Sequence, residues 1–592
     1  MKIINLGIFA HIDAGKTTLT ENILLDSCLI KELGKVDKQT SHVDTMDLER
    51  SMGITIQSTS VRIELENTVI NLIDTPGHAD FYSEVERVIP VIDGAVVVVS
   101  AVEGVQAQTV KILSLLQSQG VRILFFINKL DAVGANASAV IDDIHEQLNM
   151  ETLVMQTWDT NGKSPLVKRR LDESLFDELQ AKSAEKQTTS LSDILLQRNI
   201  MPVFVGSAKL SVGIRDVLWG ITNFIPERQP LAAEFSALVY KVGFQEGGGR
   251  MCYIRVFSGS IHLLERVYNI RTSQFEKVIR LYGYDGLKLK QETALGVNEI
   301  GVLCGIQAKV GDILGTSDGV RTLSHKPQSL FQINVIPFDV SQSVQIYQAL
   351  RKLQEEEPSI NIRWNAAVKE IWMDILGEIQ LKVLQDKLLK QYSLSVFFGK
   401  TSVIYKETPR KKSSISLCAN IYTSIELTVE PIERGKGVLI QSEVSTDKLF
   451  KKYQNVVITN IYKALQTGTR GHEVTDIQVT ITGGESTPPA SNSKDFAELA
   501  HRATVLALQR SGVHLLQPYL SFELSYPSLY NQNVMKLLAI HQGIIADVWY
   551  DKQRTTVLGS VSAKNERGIT KKLVTVTEGY GNWISEYSHY DI

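Results

Sequence analysis

Short runs that are apolar at nearly every position punctuate the N-terminal part of the chain: Ile3 to Phe9, Val69 to Ile73, Ala95 to Val99, Arg122 to Ile127 and Met201 to Val205. A strand with one wet face alternates apolar and polar residues, whereas a strand covered on both faces does not, so these runs predict a sheet sandwiched between helices. After the first run, Leu19, Ile23 and Cys28 recur at helical spacing and predict a helix over Lys16 to Leu29. Buried strands alternating with amphipathic stretches are the signature of a doubly wound α/β domain.

The pattern changes after Ile225-Pro226-Glu227-Arg228-Gln229-Pro230, which reads as a linker. Phe235 to Val242, Met251 to Phe257 and Gly301 to Lys309 are β-type runs separated by glycine-bearing turns, as in a small antiparallel barrel. The next segment orders as strand (Leu330 to Val335), helix (Ser343 to Glu356), strands (Ile362 to Asn365, Glu370 to Leu376) and helix (Ile379 to Gln391). Residues 523 to 592 repeat a strand, helix, strand, strand order, and two split βαβ modules explain both. Between them lies a β-rich segment with helices at about 447 to 466 and 494 to 511.

Length and composition agree with several folded domains. At roughly 100 to 200 residues per domain, a chain of 592 residues predicts about three to five. Hydrophobic residues make up 43% and charged residues 21%, ordinary globular values. Lys and Arg total 62 against 65 Asp and Glu, so no global positive field draws the chain to nucleic acid and any RNA contact is local. Basic runs such as Lys168-Arg169-Arg170 and Arg410-Lys411-Lys412 are more often solvated faces than RNA contacts. Cys28, Cys252, Cys304 and Cys418 fit no metal or redox spacing, which suits a reducing cytosol. Met1 to Leu6 run straight into the first motif with no room for a leader, and the most apolar stretch, Gly94 to Val102, is about half a membrane span. A cytoplasmic protein with no membrane segment is expected.

The candidate chemistry follows the buried strands. Ala10-His11-Ile12-Asp13-Ala14-Gly15-Lys16-Thr17 is a phosphate loop with alanine in its first position, and the amides of Asp13, Ala14, Gly15, Lys16, Thr17 and Thr18 are expected to wrap a triphosphate at a helix N-terminus. Lys16 would reach the β and γ phosphates and the Thr17 hydroxyl would coordinate Mg²⁺. Alone, such a pattern can be a glycine turn before a helix; its place between a buried strand and an amphipathic helix favours function. In Asp74-Thr75-Pro76-Gly77-His78, Asp74 can hold the metal through water, the Gly77 N–H can meet the γ-phosphate, and His78 can orient an attacking water. In Asn128-Lys129-Leu130-Asp131, Asp131 can accept both the N1 and N2 protons of guanine, a pair adenine lacks, so the nucleotide is read as GTP. Ser207-Ala208-Lys209 would close over the base, and Gly53-Ile54-Thr55 would sense the γ-phosphate.

These motifs, with Glu49 to Gln57, Gly104 to Thr109, Phe125 to Lys129, Val36 to Lys38 and Gln517 to Phe522, make the chain resemble the translational GTPases along essentially its whole length. The resemblance is to elongation factor G and its paralogues, the tetracycline-resistance ribosomal protection proteins. It implies a multidomain α/β and α+β architecture: a P-loop GTPase domain (1–228), a β-barrel domain (229–327), and two ferredoxin-like domains (328–402 and 522–592) flanking an extended α+β domain (403–521) whose tip loops reach the decoding site. It further implies that Thr55 completes the Mg²⁺ shell, that Asp13 orders the phosphate loop, and that His78 is set for catalysis by ribosomal RNA. The implied partner is the ribosome, both subunits and their RNA, met by a monomer that displaces tetracycline. The candidate tip loop spans Gly483 to Ser493, with Ser486, Thr487, Pro488, Pro489, Ala490 and Ser491 facing the ribosome; the alternative reading is a surface turn before a helix capped by Ser493. Here the chain departs from the resistance branch: Pro489 keeps the first proline of the family's loop, Ser493 replaces the second, the loop near Asn420 to Thr423 is shorter, and the chain stops soon after Gly581. The histidine-bearing tip of the housekeeping translocase is absent as well, and the segment 131 to 206 is too short for its large insertion.

Overall fold

A computed structural model describes residues 1–34, 48–49, 55–65, 67–148, 150–159, 166–169, 195, 199–230, 233–245, 248–322, 329–365, 370–487, 491–550 and 553–592. They form two compact units, one of Met1–Gln328 with Asn334–Gly399 and the other of Ser329–Ile333 with Lys400–Ile592.

The first unit opens with seven strands, β1 (Lys2–Ala10), β2 (Thr59–Leu65), β3 (Thr68–Asp74), β4 (Gly94–Ser100), β5 (Arg122–Asn128), β6 (Thr152–Val154) and β7 (Met201–Val205), in the sheet order β2-β3-β1-β4-β5-β7-β6. Strands β2 and β3 pair antiparallel; the remaining pairs are parallel. Among the described residues the sheet is accompanied by helices α1 (Lys16–Asp26), α2 (Tyr82–Val88), α3 (Ala107–Ser118), α4 (Ala137–Leu148) and α5 (Ile214–Phe224). Every residue of β3, β4 and β7 is buried, which is why the sequence there is apolar without alternation. Ile4, Leu6 and Ile8 pack with Leu19, Ile23, Val217 and Ile221 on one face, while Phe9, Val97 and Val99 pack with Val85, Ile112 and Leu116 on the other. The loops leaving β1, β3, β5 and β7 therefore emerge at one edge, where open α/β sheets bind ligands.

Residues 233–322 form an eight-stranded antiparallel sheet with a small two-stranded companion, closed around Val239, Cys252, Ile254, Leu281, Leu303 and Leu314. The strand expected over Gly301 to Lys309 ends at Cys304, because Gly305 turns the chain at φ 96° in a place where a Cβ would meet Ile279 Cγ1 at 2.5 Å. One guanidinium joins this barrel to the α/β domain. Arg255, fully buried, donates to Val91 O at 2.9 Å, to Asp93 Oδ1 at 2.6 Å and to Asn298 Oδ1 at 3.0 Å.

Residues 334–399 set two helices, α6 (Ser343–Glu356) and α7 (Glu378–Tyr392), on a sheet in which Ile362–Asn365 pairs antiparallel with Glu370–Ile375. Helix α2 docks here through charge. Arg87 donates to Glu357 Oε2 at 2.6 Å, to Glu84 Oε1 at 2.8 Å and to the Glu356 carbonyl at 2.8 Å, while Ser83 Oγ donates to Glu357 Oε1 at 2.9 Å.

In the second unit, strands Ser413–Asn420, Thr423–Pro431, Ile477–Ser486 and Val438–Ser442 make a sheet in that order. Helices α8 (Lys451–Leu465) and α9 (Ser493–Ser511) cover it through Val457, Ile461, Leu499 and Ala503 against Leu427, Val429 and Val479. The next strand, Val513–Pro527, is 15 residues long. Its first four residues pair with Lys406–Pro409, and its later ones pair with Arg554–Ser562 on one side and Asn582–Asp591 on the other. With helices α10 (Asn531–Ile540) and α11 (Ala563–Val576) it completes a split βαβ module. A boundary between 521 and 522 thus falls inside one continuous strand.

Arg255→Ala would leave the buried Asp93 carboxylate without its cation. A loss of about 3 to 5 kcal/mol from the unfolding free energy of the first unit is expected, measured by denaturant titration.

Candidate active site

The loop between β1 and α1 is shaped by two residues in the left-handed region, Asp13 at φ 61° and Gly15 at φ 93°. Such alternation turns successive N–H groups inward and builds an anion-binding concavity. Gly15 also yields room: a Cβ there would lie 2.2 Å from Asn128 Nδ2. No side chain caps α1, so its first amides face a cleft of about 710 Å³. That is the size of a small-molecule site. Asp13, Gly15, Lys16, Thr17, Thr18, Thr55, Gly77, His78, Asn128, Lys129, Asp131, Ala208 and Lys209 line it. Of the other expected residues, Ala14 and Ser207 are buried behind the wall, as is Asp74. Gly53 and Ile54 lie outside the described residues.

At the phosphate end, Lys16 Nζ stands 2.5 Å from Asp74 Oδ2 and 3.1 Å from Thr55 Oγ1. Thr17 and Thr55 present their hydroxyl oxygens 3.4 Å apart, and Thr55 Oγ1 is 3.4 Å from Asp74 Oδ2. Thr20 Oγ1 donates to Asp74 Oδ1 at 3.0 Å, which fixes the carboxylate. Two hydroxyls beside a carboxylate form an all-oxygen donor set, the chemistry that suits a hard divalent cation sharing its shell with phosphate oxygens. Among the described residues no cluster of three His, Cys, Asp or Glu could hold a metal ion without such help.

At the opposite end the loops are tied together. Asn128 Nδ2 donates to Ala14 O at 2.8 Å, and Asn128 Oδ1 accepts from the Ala208 N–H at 2.8 Å. Ser207 Oγ donates to Asp131 Oδ1 at 2.5 Å, which aims the carboxylate at the cleft's edge. Lys129, at φ 67°, reaches Glu103 Oε1 at 3.3 Å.

His78 occupies the remaining wall. Its Nδ1 accepts from the Asp80 N–H at 3.1 Å and lies 3.3 Å from Asp80 Oδ1. That nitrogen can accept from the amide when the ring proton sits on Nε2, or donate to the Asp80 carboxylate when Nδ1 itself carries a proton, so the Asp80 contacts select the tautomer.

The comparisons with known proteins follow the same layout. A model of the elongation factor Tu GTP binding domain matches residues 1–227, and models of elongation factor G domain III, domain IV and C-terminus match 326–400, 401–512 and 514–592. The tetracycline resistance protein TetS of Listeria monocytogenes is 32% identical over all of this chain and 96% of its own length. The chain belongs to the elongation factor G family of translational GTPases. TetP of Clostridium perfringens is 30% identical over 100% of this chain and 94% of its own, and TetM from transposon Tn5251 of Streptococcus pneumoniae is 32% identical over 100% and 96%. The crystal structure of a Thermus thermophilus protein shares the fold with TM-score 0.67 at 20% identity, over 100% of this chain and 97% of that one.

In this factor the tip expected at 483 to 493 is built differently. The strand Ile477–Ser486 runs through Gly483 and Gly484, so the glycine pair is no turn. Of the six expected tip residues, Ser486 and Ser491 are buried; Ser491 Oγ donates to the Tyr422 carbonyl at 2.7 Å and accepts from the Thr487 N–H at 2.9 Å. Pro488, Pro489 and Ala490 lie outside the described residues. The cap of α9 is Asn492, whose side chain accepts from the Asp495 N–H at 2.9 Å, and not Ser493, which is already helical. Thr487 is exposed, as is Ile421 in the adjoining hairpin turn, at 84%. The Arg410-Lys411-Lys412 run is partly taken up in the fold: Arg410 Nε donates to Val513 O and Lys412 pairs with Glu430.

Two positioning residues of the nucleotide cleft escaped the sequence reading. Gln108 Nε2 donates to the Gly77 carbonyl at 2.8 Å while its Oε1 stands 3.0 Å from His11 Nδ1. Asn22 Nδ2 donates to the carbonyls of both Thr18 and Ala208, each at 2.8 Å. Their neighbourhoods stood out only as family blocks; the partner atoms belong to other loops.

Gly15→Ala adds a Cβ where the Asn128 amide sits and strains a left-handed position. Guanine-nucleotide affinity should fall by about a hundredfold, equal to about 2.7 kcal/mol, in a fluorescent-nucleotide titration, with the circular dichroism spectrum unchanged.

Proposed function

We propose that this protein is a ribosome-stimulated GTP hydrolase that acts as a ribosomal protection factor. It binds the ribosome across both subunits, dislodges tetracycline from the small subunit, and leaves when GTP is hydrolysed. The observation that carries the reading is the full-length kinship to proteins named for tetracycline resistance, together with the intact ring of cleft residues.

In this reading the amides of residues 13 to 18 and the Lys16 ammonium hold the triphosphate, and Asn128, Lys129, Asp131, Ser207, Ala208 and Lys209 enclose the guanine. The hydroxyls of Thr17 and Thr55 would hold Mg²⁺, which would supply positive charge to the triphosphate. A water oxygen attacks the γ-phosphorus, the bond to the β,γ-bridging oxygen breaks, and GDP and phosphate result. His78 Nε2 faces that water and orients it. Ribosomal RNA of the large subunit completes this alignment on docking. The working division is 1–228, 229–327, 328–402, 403–521 and 522–592, in a cytoplasmic monomer. Among the described residues no helix is long and apolar enough to cross a membrane.

One observation favours a second reading, a paralogue that serves stalled or recycling ribosomes without a drug role. Ser486 and Ser491 turn inward, so two of the six residues expected to meet the decoding site are taken up in the fold. Expression in a sensitive host separates the two: a protection factor raises the tetracycline concentration that halts growth, and an unshifted concentration removes the drug role.

His78→Ala should lower ribosome-stimulated GTP turnover by about a thousandfold while leaving GTP affinity within about threefold. Steady-state turnover with purified ribosomes and equilibrium nucleotide binding measure the two. A comparable collapse of affinity would remove the assigned role.

A further inference from the structure

Asp80 stands two residues beyond His78 and divides its carboxylate between two domains. Oδ2 accepts from the Ile379 N–H at 2.8 Å and the Gln380 N–H at 3.4 Å, the opening amides of α7. Oδ1 lies 3.3 Å from His78 Nδ1, and the Asp80 N–H donates to that same ring nitrogen. Burial alone would raise this carboxyl, but the hydrogen bond and charge of His78 and the Ile379 and Gln380 amides outweigh it and hold Asp80 below its ordinary range. It is a carboxylate at neutral pH, suited both to a helix N-terminus and to an imidazole.

The fit is tight from the helix side. Gly377, the N-cap of α7, is extended at φ −164°, a conformation open to any residue, yet a Cβ there would lie 2.0 Å from Asp80 Cγ. Glycine at this position answers to the Asp80 side chain and not to the backbone. A separate apolar contact runs in parallel, for Ile56, next to Thr55, and Phe81, next to Asp80, pack on Val383 and Ile379 of the same helix. Both segments that border the terminal phosphate therefore rest on α7.

We propose that Asp80 is the positioning residue for His78, and that through it the docking of α7 sets the imidazole for GTP hydrolysis. The inference rests on the reading of His78 as the residue that orients water. It adds that the 334–399 module is a working part of the hydrolytic site and acts on His78 through the Asp80 carboxylate.

The test uses the full chain with ribosomes. Asp80→Ala and Gly377→Ala should each lower stimulated kcat by at least about tenfold, with GTP dissociation constants within about twofold of wild type. Asp80→Asn keeps an oxygen for the α7 amides and offers His78 an amide in place of a charge, so it should restore the melting temperature without restoring kcat. Gly377→Ala is the milder change and serves if Asp80→Ala does not fold. The double variant should be no slower than the slower single one, because both act on one contact. A folded Gly377→Ala with kcat within about twofold of wild type overturns the coupling, as does an Asp80→Asn with full kcat or a double variant whose losses multiply. A wild type that ribosomes do not stimulate overturns the functional reading and the coupling together; a stimulated wild type beside unaffected variants overturns the coupling alone.

Discussion

One side-chain amide holds the nucleotide cleft in shape. Asn128 donates to the phosphate loop at Ala14 and accepts from the loop at Ala208, so two loops far apart in sequence are bound to the end of β5. Each of those loops leaves a buried parallel strand, and the strands fix where the loops begin but not how they lean. The amide supplies that last constraint with two bonds made in a buried setting, where an unmade partner is penalised most. Asn22 and Gln108 extend the tie to Thr18 and Gly77. The phosphate-loop side and the Ala208 side of the cleft are in this way one framework.

The same economy of contacts joins domains within the first unit. Arg255 anchors the barrel to the α/β sheet, Arg87 anchors α2 to the end of α6, and Asp80 anchors the β3–α2 loop to α7. All three are largely buried charged groups that make more than one polar contact. Such sites specify a single arrangement because any other leaves a buried charge exposed to no partner.

Much of this was legible in the sequence. The nearly continuous apolar runs located β1, β3, β4, β5 and β7 to within a residue or so, since burial on both faces leaves few polar positions to blur the ends. The helix Ser343–Glu356 was bounded correctly by its periodicity. The glycine pair at 483 and 484 misled, because local chemistry cannot distinguish a turn from a bulge: Gly484, at φ 155°, sits by the register shift near Glu426, where a Cβ would meet Ser424 O at 2.8 Å. The helix cap shifted by one residue, from Ser493 to Asn492, two side chains of nearly equal merit. The motif residues of the cleft could be named from spacing alone, whereas Asn22, Gln108 and Asp80 could not, because their hydrogen-bond partners lie in loops and helices that only the folded chain brings near.

The long strand Val513–Pro527 has a different kind of importance. Family boundaries cut the chain on either side of residue 513, yet the strand's opening residues are laddered to Lys406–Pro409 while its remainder forms the centre of the C-terminal sheet. A β-ladder resists bending far more than a loop does, so the module over 401–512 and the terminal module behave as one girder. Severing them at the family seam would strip four rungs from each piece and leave two raw sheet edges, an invitation to self-association.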